Sequence, residues 1–265
     1  MKTLRINDIL AIQGDCLEGM QKLIDKGVTV SAIIADLPYG TTTCSWDSVI
    51  PFEPMWSCID KLIVTNGAIC LFGTEPFSSS LRLSNSKMFK YDWIWHKSSC
   101  SNFIAANYQP LRKHEVISVF SKGAASYSRK NSDNKMTYNP QMGEITKAIT
   151  KEYEDSECRK AYSEKSKNGY KLRHNNVGRK FPESVIYFAA DTKKIHPTQK
   201  PVKLMEYLVN TYSNTGDVVL DFTAGSFSTG VACINTNRKC ICIEKDPDIF
   251  ELGVNRIMEV YNARK

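Results

Sequence analysis

Residues 33–40 read IIADLPYG, and residues 218–226 read VVLDFTAGS. Both are apolar runs that end in an acid and a tight turn. Unbroken apolar runs of this length suit strands buried on both faces, and a polar turn at the carboxyl end of such a strand is where open α/β sheets bind ligands. Outward from these stretches, strand and helix patterns alternate. Residues 31–35 (SAIIA) and 67–73 (GAICLFG) read as buried strands, with a helix over 53–64 (EPMWSCIDKLIV) between them. Residues 76–88 read as a weak helix, and 91–97 (YDWIWHK) and 115–120 (EVISVF) as strands. Pro201 can open a helix through 202–213, with its missing N–H harmless in the first turn. Strand 217–222, helix 228–236, strand 239–244 (KCICIE) and a last helix from Pro247 to about Tyr261 follow. Alternation of this kind predicts the α/β class with a mostly parallel, doubly wound sheet.

Composition sets the frame for that sheet. A chain of 265 residues with 42% apolar content can bury a substantial core. There is no apolar run near 18 residues, and Arg5, Asn7 and Asp8 break the amino terminus in a way a signal peptide would not. This places the chain in the cytoplasm, away from membranes. Nine cysteines, an odd number with no C-x-x-C pair, indicate neither a disulfide framework nor a zinc cluster. Cys240 and Cys242 read as small apolar residues on a strand.

The net charge of +7 is localised. Residues 121–180 carry 14 Lys and Arg against 7 Asp and Glu, while the rest of the chain is balanced at 21 against 21. This segment is also the least periodic, and Tyr127, Tyr138, Tyr153, Tyr162 and Tyr170 are interspersed in it. Positive charge with interleaved aromatics suits a surface that tracks a nucleic-acid backbone; a solvated insertion without a partner fits the charge equally well. Near the carboxyl terminus, Glu244 ends a strand 19 residues after Gly225, the layout of a βαβ unit whose acid holds ribose hydroxyls.

Four motifs, taken in order, resemble the β-group DNA amino-methyltransferases, whose catalytic half precedes the cofactor half. IQGDCLEGM (12–20) is similar to the family's amino-terminal element, and IIADLPYG to its catalytic D-P-P-Y motif. KIHPTQKPVKLMEYLV (194–209) resembles the H-P-T-Q-K-P element, and VVLDFTAGSFSTG with CIEKD the cofactor loop and ribose acid. GAICLFGTEPF, QPLRKHEVISVFSKG and YNPQM are similar to phage-type members, so the resemblance covers nearly the whole chain. It implies a single circularly permuted, Rossmann-like methyltransferase domain over 1–265, with 121–190 inserted as a basic target-recognition region. It also implies S-adenosylmethionine (SAM) as cofactor, no metal, and DNA as partner. Members often form homodimers, which nothing in the sequence itself derives.

Carried over residue by residue, the resemblance assigns Asp36, Leu37, Pro38 and Tyr39 to catalysis. An exocyclic amine is a poor nucleophile because its lone pair is delocalised into the ring. The Asp36 carboxylate and the Leu37 carbonyl would accept its hydrogens and aim the lone pair, while Tyr39 stacks on a base taken out of the duplex. The cofactor would lie against Asp15, Cys16, Asp36, Thr198, Lys200, Phe222, Gly225, Ser226 and Glu244, with Lys200 pairing the methionine carboxylate and His196 anchoring its loop. Lys171, Arg173, Arg179 and Lys180 would contact DNA. Loss of the amine proton after attack removes the need for a dedicated base.

Two positions depart from the family pattern. Leu37 replaces a proline, which removes a constraint on the carbonyl, and Phe227 replaces a glycine in the cofactor loop. If that position needs φ > 0 or must touch the ligand, a phenylalanine is costly. A catalytically impaired DNA-binding relative therefore stands as an alternative to the enzyme. Methylation of RNA or protein is a third reading, but the glutamine methyltransferases carry their cofactor loop before the tetrapeptide. The chain has no Pro-Cys pair, which argues against cytosine-C5 chemistry. Between adenine N6 and cytosine N4, an Asp at the first catalytic position favours adenine as a family tendency.

Overall fold

A strand with apolar side chains on both faces sets the architecture. In β3 (Val30–Asp36), Ala32 and Ile34 enter one apolar layer, while Ile33 and Ala35 enter the other. Each fully buried isoleucine here is worth roughly 1.5–3 kcal/mol. The computed structural model describes residues 1–40, 47–126, 134–144, 179–196 and 198–264. These divide into two compact units, residues 1–139 with 183–265, and residues 140–182.

The larger unit runs β1 (Lys2–Ile6), β2 (Ile9–Gln13), α1 (Cys16–Asp25), β3, α2 (Phe52–Leu62), β4 (Ile63–Gly73), α3 (Phe77–Ser84), β5 (Phe89–Ser101) and β6 (Arg112–Ser121). In the smaller unit, β7 (Gly143–Glu144) pairs antiparallel with β8 (Arg179–Lys180). The larger unit resumes with β9 (Val185–Phe188), α4 (Val202–Tyr212), β10 (Val218–Asp221), α5 (Ser228–Asn235), β11 (Lys239–Glu244) and α6 (Pro247–Asn262).

Its nine strands form one sheet in the order β1-β2-β11-β10-β3-β4-β6-β5-β9. The central strands β2, β11, β10, β3 and β4 are parallel, and antiparallel pairs join β1 to β2 and β6 to β4 and β5. Helices α4, α5 and α6 cover one face through Leu204, Leu208, Val231 and Phe250. Helices α1, α2 and α3 cover the other through Met20, Leu23, Met55, Ile59 and Leu81. The chain leaves β3 toward β4 in one direction and β10 toward β11 in the other. The β3/β10 junction is therefore the topological switch point, and a crevice opens outside the carboxyl ends of these strands.

Local chemistry fixes the helix starts. Asp15 and Asp246 cap α1 and α6, each accepting two backbone N–H bonds. Pro201 stands at the N-cap of α4, just before the first turn expected for it, because its ψ of 131° is extended. The expected helix over 53–64 stops at Leu62, and Ile63 already belongs to β4. The hairpin β1–β2 was absent from the sequence reading. Residues 134–139 pack with the larger unit: Met136 is buried in its core, and the Thr137 and Asn139 N–H groups donate to the carbonyls of Asn66 and Thr211.

Candidate active site

A cavity of about 640 Å3 fills the switch-point crevice, within the range of roughly 300–1,000 Å3 usual for ligand sites. Residues of the loop after β3 (Asp36, Leu37, Pro38, Tyr39) line it, as do residues of the loop after β10 (Phe222, Gly225, Ser226) and Glu244 at the end of β11. Asp15, Cys16, His196, Thr198 and Lys200 line it as well. The sequence-assigned catalytic and cofactor residues thus share one cavity.

Asp36 ends β3 and sits in a buried ion network. Lys200 Nζ lies 2.6 Å from Asp36 Oδ2 and 3.2 Å from Glu115 Oε2, and Lys97 Nζ lies 3.2 Å from Glu115 Oε1. Tyr39 donates its hydroxyl to Asp36 Oδ1 at 2.5 Å, and its ring lies 5.2 Å from that of Phe77. Burial raises the Asp36 carboxyl above the ordinary range against the pull of Lys200. Burial acts the same way on Glu115, but Lys200 and Lys97 outweigh it and hold that carboxyl below its ordinary value. Burial opposes the Lys200 charge, and Asp36 with Glu115 more than reverse this. Burial and the adjacent Asp36 keep the Tyr39 phenol protonated. Lys200, expected to be open to a methionine carboxylate, is here the shared counter-ion of two protein carboxylates. Leu37 is 4% exposed and belongs to the apolar layer that α2 also packs in.

The other half of the cavity is built from the β10–α5 turn. Gly225 has φ +50°, and a Cβ there would meet nothing within 4 Å, so its backbone borders open cavity space. Glu244 Oε2 accepts the Gly225 N–H at 2.8 Å and Oε1 accepts the Asp246 N–H at 2.9 Å, which fixes the carboxylate at the rim. Burial raises the Glu244 carboxyl and pushes that of Asp221 up to about 7, the latter against hydrogen bonds from Thr229 and the Thr223 N–H. The Cys16 thiol is pushed up to about 12 by burial and by Asp15 beside it. Thr198 Oγ1 lies 2.9 Å from His196 Nδ1, within the loop leading to α4. Among the described residues, no group of three or more His, Cys, Asp and Glu could hold a metal ion.

Phe227 adopts φ +59°, ψ 33°, the left-handed conformation that makes a phenylalanine costly here. Its side chain nevertheless does not line the cavity. It is fully buried, with its ring 5.9 Å from that of Phe250. Gly253 makes the room: a Cβ there would stand 2.6 Å from Phe227 Cδ1. The expected conflict with a ligand does not arise, because the side chain turns away into the layer between α5 and α6.

Residues 30–255 match the protein family described as DNA methylase, whose members act at adenine N6 or cytosine N4. The chain belongs to this DNA methylase family. It is 26% identical over 260 residues to the DNA adenine methyltransferase YhdJ of Escherichia coli, covering 93% of this chain and 81% of that one. It is 28% identical over 263 residues to the type II methyltransferase M1.MboII of Moraxella bovis, covering 90% and 91%. Among solved structures, the M1.HpyAVI–SAM complex superposes with a TM-score of 0.61 at 21% identity, covering 94% of this chain and 99% of that one. The cytosine-N4-specific PvuII DNA methyltransferase gives 0.63 at 14% identity, covering 97% and 92%. These two share the fold.

Of the residues expected to contact DNA in this methylase, Lys171 and Arg173 lie outside the described residues, as does the side chain of Arg179; Lys180 is exposed in β8. Glu115, Lys97 and Asp191 also shape the site, although none of them belongs to the four motifs. Glu115 lies in the first half of β6, which runs antiparallel to β4 and so brings it to the carboxyl ends of β3 and β4. Asp191 accepts hydrogen bonds from Gln199 Nε2 and the Val202 N–H, and pairs with Arg256 at 3.5 Å. It thereby ties the loop carrying Lys200 to α6. Among the described residues, no helix is long and apolar enough to cross a membrane.

Proposed function

We propose that this DNA methylase transfers a methyl group from SAM to the exocyclic N6 of adenine in DNA, through a circularly permuted domain with 121–190 as its target-recognition region. The observation that carries the reading is the meeting of Asp36 and Glu244 in one cavity at the switch point, with β3 earlier in the chain than β10 yet beside it in the sheet. SAM would supply an electrophilic methyl group on a sulfonium. Glu244 has lone pairs left for ribose hydroxyls, and the open backbone at Gly225 gives close approach beside Ser226 and Phe222. Asp15, Cys16 and Thr198 line the same cavity.

Asp36 would accept one amine hydrogen and the Leu37 carbonyl the other, which turns the lone pair toward the methyl group. Tyr39 would stack on the base. The raised Asp36 carboxyl suits brief acceptance of the proton that the methylated amine releases. Adenine is favoured by full-length similarity to an adenine enzyme, and the fold shared with a cytosine-N4 enzyme supports the second reading. Mass spectrometry of nucleosides from unmethylated DNA incubated with protein and SAM decides between them. N6-methyladenine is expected, N4-methylcytosine selects the other base, and no modified base refutes both. Asp36→Ala should abolish transfer while leaving DNA binding largely intact, and substantial residual turnover would remove Asp36 from its role.

A further inference from the structure

The hairpin β5–β6 carries an apolar tip that the chemistry above does not use. Between its strands, Asn102 enters the left-handed region at φ 69° and a short 3-10 turn, Phe103–Ala105, follows. The tip has its own hydrogen bonds: the Ala106 N–H donates to Phe103 O, and those of Tyr108 and Gln109 to Ala105 O. This shaped loop shows its apolar side chains to solvent. Phe103 is 65% exposed, Ile104 99% and Tyr108 90%. Single exposed apolar residues are ordinary, but three on one ordered tip mark a contact surface.

Two observations identify the occupant. The strand ends that carry the tip are part of the cavity wall, through Lys97, Ser101, Arg112 and His114. They are tied to Asp36 through the Lys97–Glu115–Lys200 chain of ion pairs. At about 3.3 Å per strand residue, the loop starts roughly 10 Å beyond Glu115, next to the cavity wall. The charge also fits. From Lys97 to His114 there is no acid, and Arg112 and Lys113 are exposed next to the tip. An apolar tip flanked by cations matches a duplex, whose phosphates attract the cations and whose unstacked bases offer apolar faces.

We propose that this tip is a wedge, with Ile104 and Phe103 entering the duplex where the target base has been turned out toward Asp36. The proposal rests on the reading that the chain methylates a base removed from the stack. The wedge is a positioning element and touches no reacting atom. Its role is to keep the emptied place in the stack from closing, so that the open state persists long enough for transfer.

The test compares wild type with the double variant Phe103→Ala/Ile104→Ala on two DNAs carrying the target sequence, which is mapped beforehand on methylated plasmid. One is a perfect duplex, and the other places the target base opposite an abasic site, where turning out costs little. The variant should lose about tenfold or more in kcat/KM on the perfect duplex, one decade for each 1.36 kcal/mol of barrier. It should stay within about threefold of wild type on the abasic substrate, by the same conversion. Fluorescence of 2-aminopurine at the target should rise with wild type and less with the variant, and unchanged thermal melting and SAM binding show that the variant is folded. Equal methylation of the perfect duplex by both proteins, or an equal loss on both DNAs, overturns the wedge. Loss of self-association with duplex methylation retained would assign the tip to a second copy of the chain and overturn it too. Failure of wild type on every DNA overturns the proposed function itself, and the wedge with it.

Discussion

Replacing Lys200 with methionine tests the ion network that holds Asp36, the proposed acceptor of the target amine. The substitution keeps the buried stem and removes the charge that Asp36 and Glu115 share at 2.6 and 3.2 Å. Glu115 keeps Lys97 at 3.2 Å, so Asp36 becomes the uncompensated carboxylate, left with the Tyr39 hydroxyl. Removing one partner of a buried pair costs about 3–5 kcal/mol. The Asp36 side chain is 27% exposed, which argues for the lower end, about 3 kcal/mol. For a chain of this size that is roughly 6–12 °C in melting temperature. The loss must depend on pH. Without Lys200 the folded-state Asp36 carboxyl climbs further above its unfolded value. A group raised in this way contributes stability that is fully present below the unfolded pKa and lost as pH rises through the folded one. The gap between variant and wild type should therefore be small near pH 5 and full at pH 8, as read by thermal melts of both proteins across that range. Adding Asp36→Asn should recover much of the loss, since both charges then leave together. A variant that melts like wild type throughout, or by the same margin at pH 5 and pH 8, would show that Lys200 acts through packing and not through charge.

Three further substitutions have defined outcomes. Asp221 titrates at about 7 because it is buried, so a cationic ligand must favour its ionised form; calorimetry should show SAM affinity rising from pH 6 to pH 8, by at most about tenfold per unit, and Asp221→Asn should flatten the dependence. Phe227→Gly relieves a left-handed phenylalanine, worth roughly 1–2 kcal/mol, but empties a buried site worth roughly 3–5 kcal/mol. It should lower stability while leaving SAM affinity within about threefold, and a tenfold gain in affinity would contradict the outward-turned side chain. Arg173→Glu with Lys180→Glu should weaken DNA binding and reduce the slope of log affinity against log salt, by about 0.9 for each phosphate no longer neutralised; unchanged binding would move the DNA surface elsewhere.

How much of this was legible depends on where each strand sits in the sheet. β3, β4, β10 and β11 were visible because both of their faces are buried, which demands apolar runs. β1 lies at one edge with a largely exposed pattern, and the four-residue β9 lies at the other, so neither imposes enough apolar sequence to be recognised. Asp36 and Glu244 were found because a polar residue that ends a buried run is conspicuous. Glu115 begins its run, and only the antiparallel direction of β6 brings it to the same edge of the sheet. That direction is decided by pairing with β4, which local sequence does not encode. The pairing of Lys200 with Asp36 spans 164 residues, so no local pattern announces it. For Phe227 the sequence carried the backbone requirement and not the side-chain direction. The residue that resolves the conflict, Gly253, sits on another helix and has no local signature.

The charges divide the cavity into two unlike halves, and the division bears on turnover. Around the proposed base site, Asp36 and Glu115 are matched by Lys200 and Lys97, so those four charges cancel before substrate arrives. Around the proposed cofactor site, Asp221 and Glu244 are satisfied by N–H and O–H donors, and burial raises both carboxyls. A carboxyl raised by burial is one whose ionised form is under-stabilised, and a nearby positive charge corrects that. The sulfonium of the proposed cofactor brings such a charge, and methyl transfer removes it, leaving a neutral thioether product. The cofactor half is therefore complementary to the reactant and less so to what remains after reaction, which favours release of the spent cofactor. The other half has the opposite property: its matched charges hold Asp36 in place without adding net charge, so on the proposed reading a methylated base is not retained there by charge.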